Sequence, residues 1–139
     1  ENSVIRNRFV DPRYHFALNY ASSSCPKLPR VPFYPERLDE QLEAESEKFI
    51  NSAANVRYDV EQKTLYLSAI FDWYEEDFLN WLDHISPGKD LTIVDYLLDY
   101  LDEQTAAPIR RDRETLKIDY LVYDWGLNDQ GGEPTQSAR

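Results

Sequence analysis

Cys25 and His15 are the two side chains of this 139-residue sequence best suited to covalent chemistry. A thiol becomes a nucleophile when an imidazole takes its proton, and the ring then needs a third polar group to orient it. His15 stands near the start of an aromatic run, Cys25 follows in a proline-bounded loop, and Asp124 comes just after the last apolar stretch. That trio would suit a cysteine-type hydrolase or acyltransferase, with Cys25 as nucleophile, His15 as base and Asp124 as orienter. The plainer reading is packing. Free cysteine is among the most buried residue types, and a buried histidine with a hydrogen-bond partner is an ordinary structural residue. No motif of known mechanism surrounds the pair, so packing is preferred.

Three other groupings have chemical content. Acids interleave with aromatics in Asp72-Trp73-Tyr74-Glu75-Glu76-Asp77-Phe78 and again in Asp124-Trp125. Sugars stack on such rings and are cleaved by paired carboxylates. Helical spacing of Ile70, Trp73 and Tyr74 favours instead an amphipathic helix with rings inward and acids in water. Arg6, Arg8 and Arg13 lie close to Asp11, and Arg6 with Arg13 could hold an anion by bidentate contact. Pairing with the chain's own acids is the preferred reading. The only Cys or His side chains are His15, Cys25 and His84, too few for a structural zinc, and no acidic loop around a glycine suggests calcium. No metal and no cofactor is expected; with four glycines, a Gly-rich phosphate loop is excluded.

Charge narrows the partners. The chain carries 15 Lys and Arg against 26 Asp and Glu, a net of −11. Residues 1–35 run against that trend, with five bases and two acids. A body this acidic repels phosphate backbones, so nucleic acid is a poor partner. Nowhere do about 18 apolar residues run together, so no membrane span is expected. One cysteine permits no internal disulfide. The chain opens at Glu1 and contains no Met, which reads as a fragment or processed piece; its compartment is not legible.

The elements that would position these residues follow from periodicity. Tyr14 to Tyr20 reads as a strand, rich in aromatics with Phe16 and Leu18 on one face. Ala21 to Pro35 is a loop, because Pro26, Pro29, Pro32 and Pro35 forbid helix and central strand alike. A helix is expected over 35–53, with a narrow stripe of Leu38, Leu42, Phe49 and Ile50 interrupted by Ser46. Residues 56–60 and 64–68 alternate as a hairpin around Glu61-Gln62-Lys63. Helices follow over 69–85, with Trp73 inward, and over 91–104, opened by Thr92 and Asp95 as a capping box. Pro108 and the charged run Arg110 to Glu114 read as a connector. Residues 116–123 form the last strand, and 130–139 a polar, disordered tail.

Several phrases, met in this order, resemble one family. They are Asp11-Pro12-Arg13-Tyr14-His15-Phe16-Ala17-Leu18-Asn19, Ser24-Cys25-Pro26, Tyr34-Pro35-Glu36-Arg37-Leu38-Asp39, Leu67-Ser68-Ala69-Ile70-Phe71-Asp72-Trp73-Tyr74 with Glu76-Asp77-Phe78, and Tyr123-Asp124-Trp125-Gly126-Leu127-Asn128. Together they are similar to the domain-of-unknown-function 547 family, over roughly residues 1–129. The resemblance implies the C-terminal part of the family domain, whose usual N-terminal helical half is absent from this sequence. In plants and algae that domain is often fused to leucine-zipper or other modules. The family carries no established reaction.

The sequence is therefore expected to form a single domain over 1–129 of α/β or α+β class, with a mainly antiparallel sheet of about four strands and three helices packed on it. Its expected role is a scaffold or protein-interaction module. The thin stripe of the first helix and the resemblance both point to cover from the absent N-terminal half or from another chain, a homo-oligomer being left open. The cysteine-type enzyme is the alternative.

Overall fold

The computed structural model describes residues 10–19 and 22–127. The first element among these residues is a surprise. Where aromatic content predicts a strand over 14–20, Pro12–Phe16 form a 3-10 helix. Asp11 accepts the backbone N–H of Arg13 at 3.0 Å, and Pro12 supplies a φ already suited to a helical turn. The tight turn then buries Pro12, His15 and Phe16, a spacing of three and four that a strand could not put on one side. Arg13 ties the turn to the next helix. Its guanidinium reaches Asp11 and Asp39 at 2.7 Å and Glu43 at 3.0 Å.

The long helix is shorter than its periodicity suggests. A 3-10 turn, Pro35–Arg37, leads into α1, Leu38–Ile50. Leu38, expected inward, is 42% exposed, while Ser46 is fully buried in the gap of the stripe. Ser46 solves its polarity locally by donating to the carbonyl of Leu42 at 2.8 Å. Strands β1, Val56–Asp59, and β2, Thr64–Leu67, form the expected hairpin, each one residue shorter than predicted. Ser68, predicted as strand, instead caps the following helix by accepting from Ile70 N–H at 3.3 Å.

That helix is two. α2, Ala69–Trp73, and α3, Glu75–Ile85, meet at Tyr74, whose φ of −119° and ψ of 22° break the run. The next predicted helix also divides. Thr92 and Asp95 do close a capping box, with Thr92 N–H donating to the Asp95 carboxylate at 2.7 Å. However, α4 spans only Ile93–Leu98. Asp102 then caps α5, Glu103–Arg111, by accepting from Thr105 N–H at 3.0 Å. Asn51 clasps the intervening turn, donating to Tyr100 O and accepting from Asp102 N–H, both at 2.8 Å. Thus the predicted connector at Pro108 is helix. Pro108 forfeits one backbone bond, but Ala106 and Ile109 bury completely on the face beside it, and burial outweighs local propensity.

The last strand, β3, spans only Lys117–Tyr120 and lies parallel to β2. Among the described residues the sheet therefore has three strands in the order β1-β2-β3 and is mixed, which corrects the four-stranded antiparallel expectation. Among the described residues five α-helices replace the expected three. Helices α2 to α5 form the crossover that a parallel pair requires. Val56, Leu67 and Tyr120 stand side by side across the sheet, as do Tyr58, Leu65 and Ile118. Above them lies a ring cluster in which Phe78 stands 5.3 Å from Phe71, 4.9 Å from Tyr96 and 5.9 Å from Phe16.

Asp112 anchors the turn into β3. It takes hydrogen bonds from Tyr58 at 2.7 Å and from Arg111 at 2.9 and 3.1 Å. The Arg111 bonds first, and then the Tyr58 bond, hold its carboxyl at about 2, below the ordinary 3.8. A lowered folded pKa contributes stability that is complete above the unfolded value and lost as pH falls through the folded one. Acid unfolding of the wild type is therefore expected to gain a component between about pH 4 and 2. In Asp112→Asn that component disappears from the pH dependence of the urea midpoint; an unchanged acid limb would refute it.

Candidate functional site

His15 is buried and held by α3. Its Nε2 lies 2.8 Å from Asp77 Oδ2, to which the Tyr14 hydroxyl also donates at 3.3 Å. A carboxylate only accepts, so the proton of that contact sits on Nε2. The Tyr74 ring stacks on the imidazole with centroids 4.0 Å apart, and Tyr14 tilts against it at 4.1 Å. The break at Tyr74 thus delivers the ring that covers His15.

Cys25, also buried, lies in the loop that follows. The Tyr123 hydroxyl donates to its Sγ at 3.1 Å and stands 2.8 Å from Ser22 Oγ. With one hydrogen on each hydroxyl, the chain of donors runs from Ser22 to Tyr123 to sulfur. Burial, and then the bond to Cys25, push the Tyr123 hydroxyl up to about 12, which keeps it a donor at neutral pH. The thiol also lies in the wall of a cleft of about 290 Å³, together with Phe16, Lys27, Lys48 and Phe49.

Asp124 is brought alongside the same loop by its backbone. Its N–H donates to Ser24 Oγ at 2.8 Å, and Ser23 N–H donates to Gly126 O at 2.8 Å. Its carboxylate, however, accepts from Gly126 N–H at 2.8 Å in a local turn. The acid on His15 Nε2 is Asp77, where the sequence reading gave that place to Asp124. Asp77 carried a legible signal. It falls between Tyr74, Phe78 and Trp81 on the apolar stripe of the helix, and an acid on such a stripe calls for a buried partner. Tyr123 as a ligand of the sulfur had no such signal, because nothing local joins residues so far apart in sequence.

Of the anion-binding candidates, Arg6 and its neighbour Arg8 lie outside the described residues. Arg13 is paired within the chain, as preferred, through Asp11, Asp39 and Glu43; chiefly the Asp11 bond raises its pKa still further. Among the described residues no three His, Cys, Asp or Glu side chains converge as a metal site requires.

The surface offers a second grouping. Trp73, predicted inward, is 45% exposed. The phase change at Tyr74 turns it out of the α3 stripe. Its ring meets Tyr123 at 4.8 Å and Trp125 at 5.7 Å, while Tyr123 and Trp125 meet at 4.6 Å. Trp125 is 70% exposed, and nearby in sequence Val122 and Leu127 are 95% and 83% exposed.

Residues 1–50 match the model of a family described as protein of unknown function, DUF547. This bears out the resemblance over the stretch that holds Asp11–Asn19, Ser24–Pro26 and Tyr34–Asp39. Neither a curated protein nor a solved structure matches the chain. No helix among the described residues is long and apolar enough to cross a membrane.

Proposed function

We propose that this chain acts as a protein-interaction module, and that Trp73, Tyr123 and Trp125 form its docking surface. The observation that carries the reading is the exposure of Trp125 within a contiguous ring cluster. Single exposed apolar residues are ordinary, whereas a connected aromatic patch is where interfaces concentrate their energy. Each such ring can bury about 150–250 Å² on a partner. Trp125 is also the residue whose loss least disturbs the core, which makes it the right probe.

The test is a selection of random displayed peptides on the whole chain and on Trp125→Ala. The wild type is expected to enrich peptides whose affinity falls at least about 10-fold on the variant, the loss of roughly 1.4 kcal/mol or more typical of an interface anchor. Enrichment of nothing, or of peptides indifferent to the substitution, would overturn the reading.

A second reading, the cysteine-type hydrolase or acyltransferase, is favoured by one observation, the thiol in the cleft wall. There His15 would take the thiol proton as Cys25 Sγ attacks an acyl carbon, the bond from that carbon to its alcohol or amine would break with the proton passing from His15 to the departing group, and Asp77 would steady the imidazolium in between. Labelling by a small electrophile separates the two readings. The interaction reading expects Cys25, 6% exposed, to react at least ~100-fold more slowly in the folded chain than in urea at pH 7, because the thiol must first be opened to solvent. Comparable rates in the two states would transfer the case to the enzyme.

A further inference from the structure

We propose that the aromatic surface takes a cationic polypeptide segment, one presenting Arg or Lys side chains to the rings. The inference rests on the interaction reading and names its partner. Acids adjoin the rings in the chain. Asp72 precedes Trp73 in the chain, Asp124 precedes Trp125, and Glu75 opens α3 immediately after the break. Asp72 and Glu75 also lie close enough to Tyr120, on the neighbouring strand, for their charge to reinforce the effect of burial on its hydroxyl.

Elsewhere among the described residues some acids are paired, while others, such as Asp59, Asp83 and Asp90, are not. Asp39, Glu43, Asp95, Glu103 and Asp112 each have an arginine. Among the described residues, no Lys or Arg forms an ion pair with Asp72, Glu75 or Asp124. Residues 69–85 contain five acids and no Lys or Arg, and residues 118–125 contain two acids and none. An exposed aromatic face beside unpaired carboxylates attracts a cation twice, through the ring quadrupole and through simple charge. Arginine suits it best, since its planar guanidinium stacks on a ring while its donors reach a carboxylate. The net charge of −11 would steer the same partner from a distance.

The geometry also excludes a close relative of this site. Centroid separations of 4.6 to 5.7 Å mean that the rings touch one another. No gap remains between them for an enclosed ammonium group, so the cation rests on their outer faces. A platform of this kind reads charge and planarity along an extended segment.

The experiment is a fluorescence titration of the whole chain, using its own tryptophans, with two short synthetic peptides. One alternates Arg with Leu; the other replaces every Arg by Gln. At low salt the Arg peptide is expected to bind at least about 10-fold more tightly, the gap closing as added salt screens it. Asp72→Asn combined with Glu75→Gln should remove most of that gap, with circular dichroism unchanged, and Trp125→Ala should weaken both peptides. Equal binding of the two peptides, still dependent on Trp125, would overturn the cationic partner and leave the interaction surface standing. Binding indifferent to Trp125, or none by either peptide, would overturn both. Self-association lost in Trp125→Ala would assign the surface to a second copy of the chain and overturn a separate cationic partner.

Discussion

Phe78→Ala is expected to destabilise the chain by about 3–5 kcal/mol, measured as a shift of the urea midpoint at constant slope. Phe78 is fully buried and lies within 6.0 Å of the rings of Phe16, Phe71, Tyr96 and His15. Those rings come from the first 3-10 turn, α2 and α4, so their packing around a void cannot relax as one body. Since a domain of this size typically holds only about 5–15 kcal/mol in all, the variant should sit near the edge of folding. A loss below about 1 kcal/mol would show that this ring cluster is not where the core is held together.

The second large effect concerns His15 and Asp77. Each is shielded, with side-chain exposures of 4% and 15%. Removing either leaves a buried polar group short of its principal partner and opens space beneath Tyr74. His15→Ala and Asp77→Ala are each expected to cost roughly 2–4 kcal/mol. The double variant should cost less than the two together, by a coupling of about 0.5–3 kcal/mol. Strict additivity in urea titrations of the four proteins would show that the 2.8 Å contact does not tie the first turn to α3. The cycle bears on function too, because the same pair would serve as the base of a thiol enzyme.

Much of the fold was legible wherever a residue's environment depends on its near neighbours. The hairpin at 56–59 and 64–67 follows from alternation, the capping box from Thr92 and Asp95, and the helical character of 38–50 and 75–85 from period. The errors share one cause. Tyr14 to Tyr20 carries the aromatic content of a strand, but Asp11 and Pro12 start a helical turn that buries His15 and Phe16 together. Pro108 breaks helices in isolation, yet Ala106 and Ile109 have a core to enter. At Tyr74 a run of helical period divides, and Trp73 leaves the core for the surface. In each case contacts across the fold outweighed a local preference of about 1–3 kcal/mol.

The candidate site divides the same way. Cys25, His15 and Arg13 stood out by type, and Asp77 betrayed itself as an acid on an apolar stripe. What each would touch was decided elsewhere. Tyr123 on the sulfur, Asp77 on the imidazole, three acids on Arg13, and the meeting of Trp73 with Trp125 all join residues far apart in the chain. The parallel seating of β3 beside β2 is of the same kind. By itself, then, the amino-acid order determined charge, element type and the polar residues worth watching, because each depends on one residue or one turn of backbone. Strand direction, hydrogen-bond partners and which rings face water belonged to the tertiary structure, because segments distant in sequence meet only when the whole core closes around them.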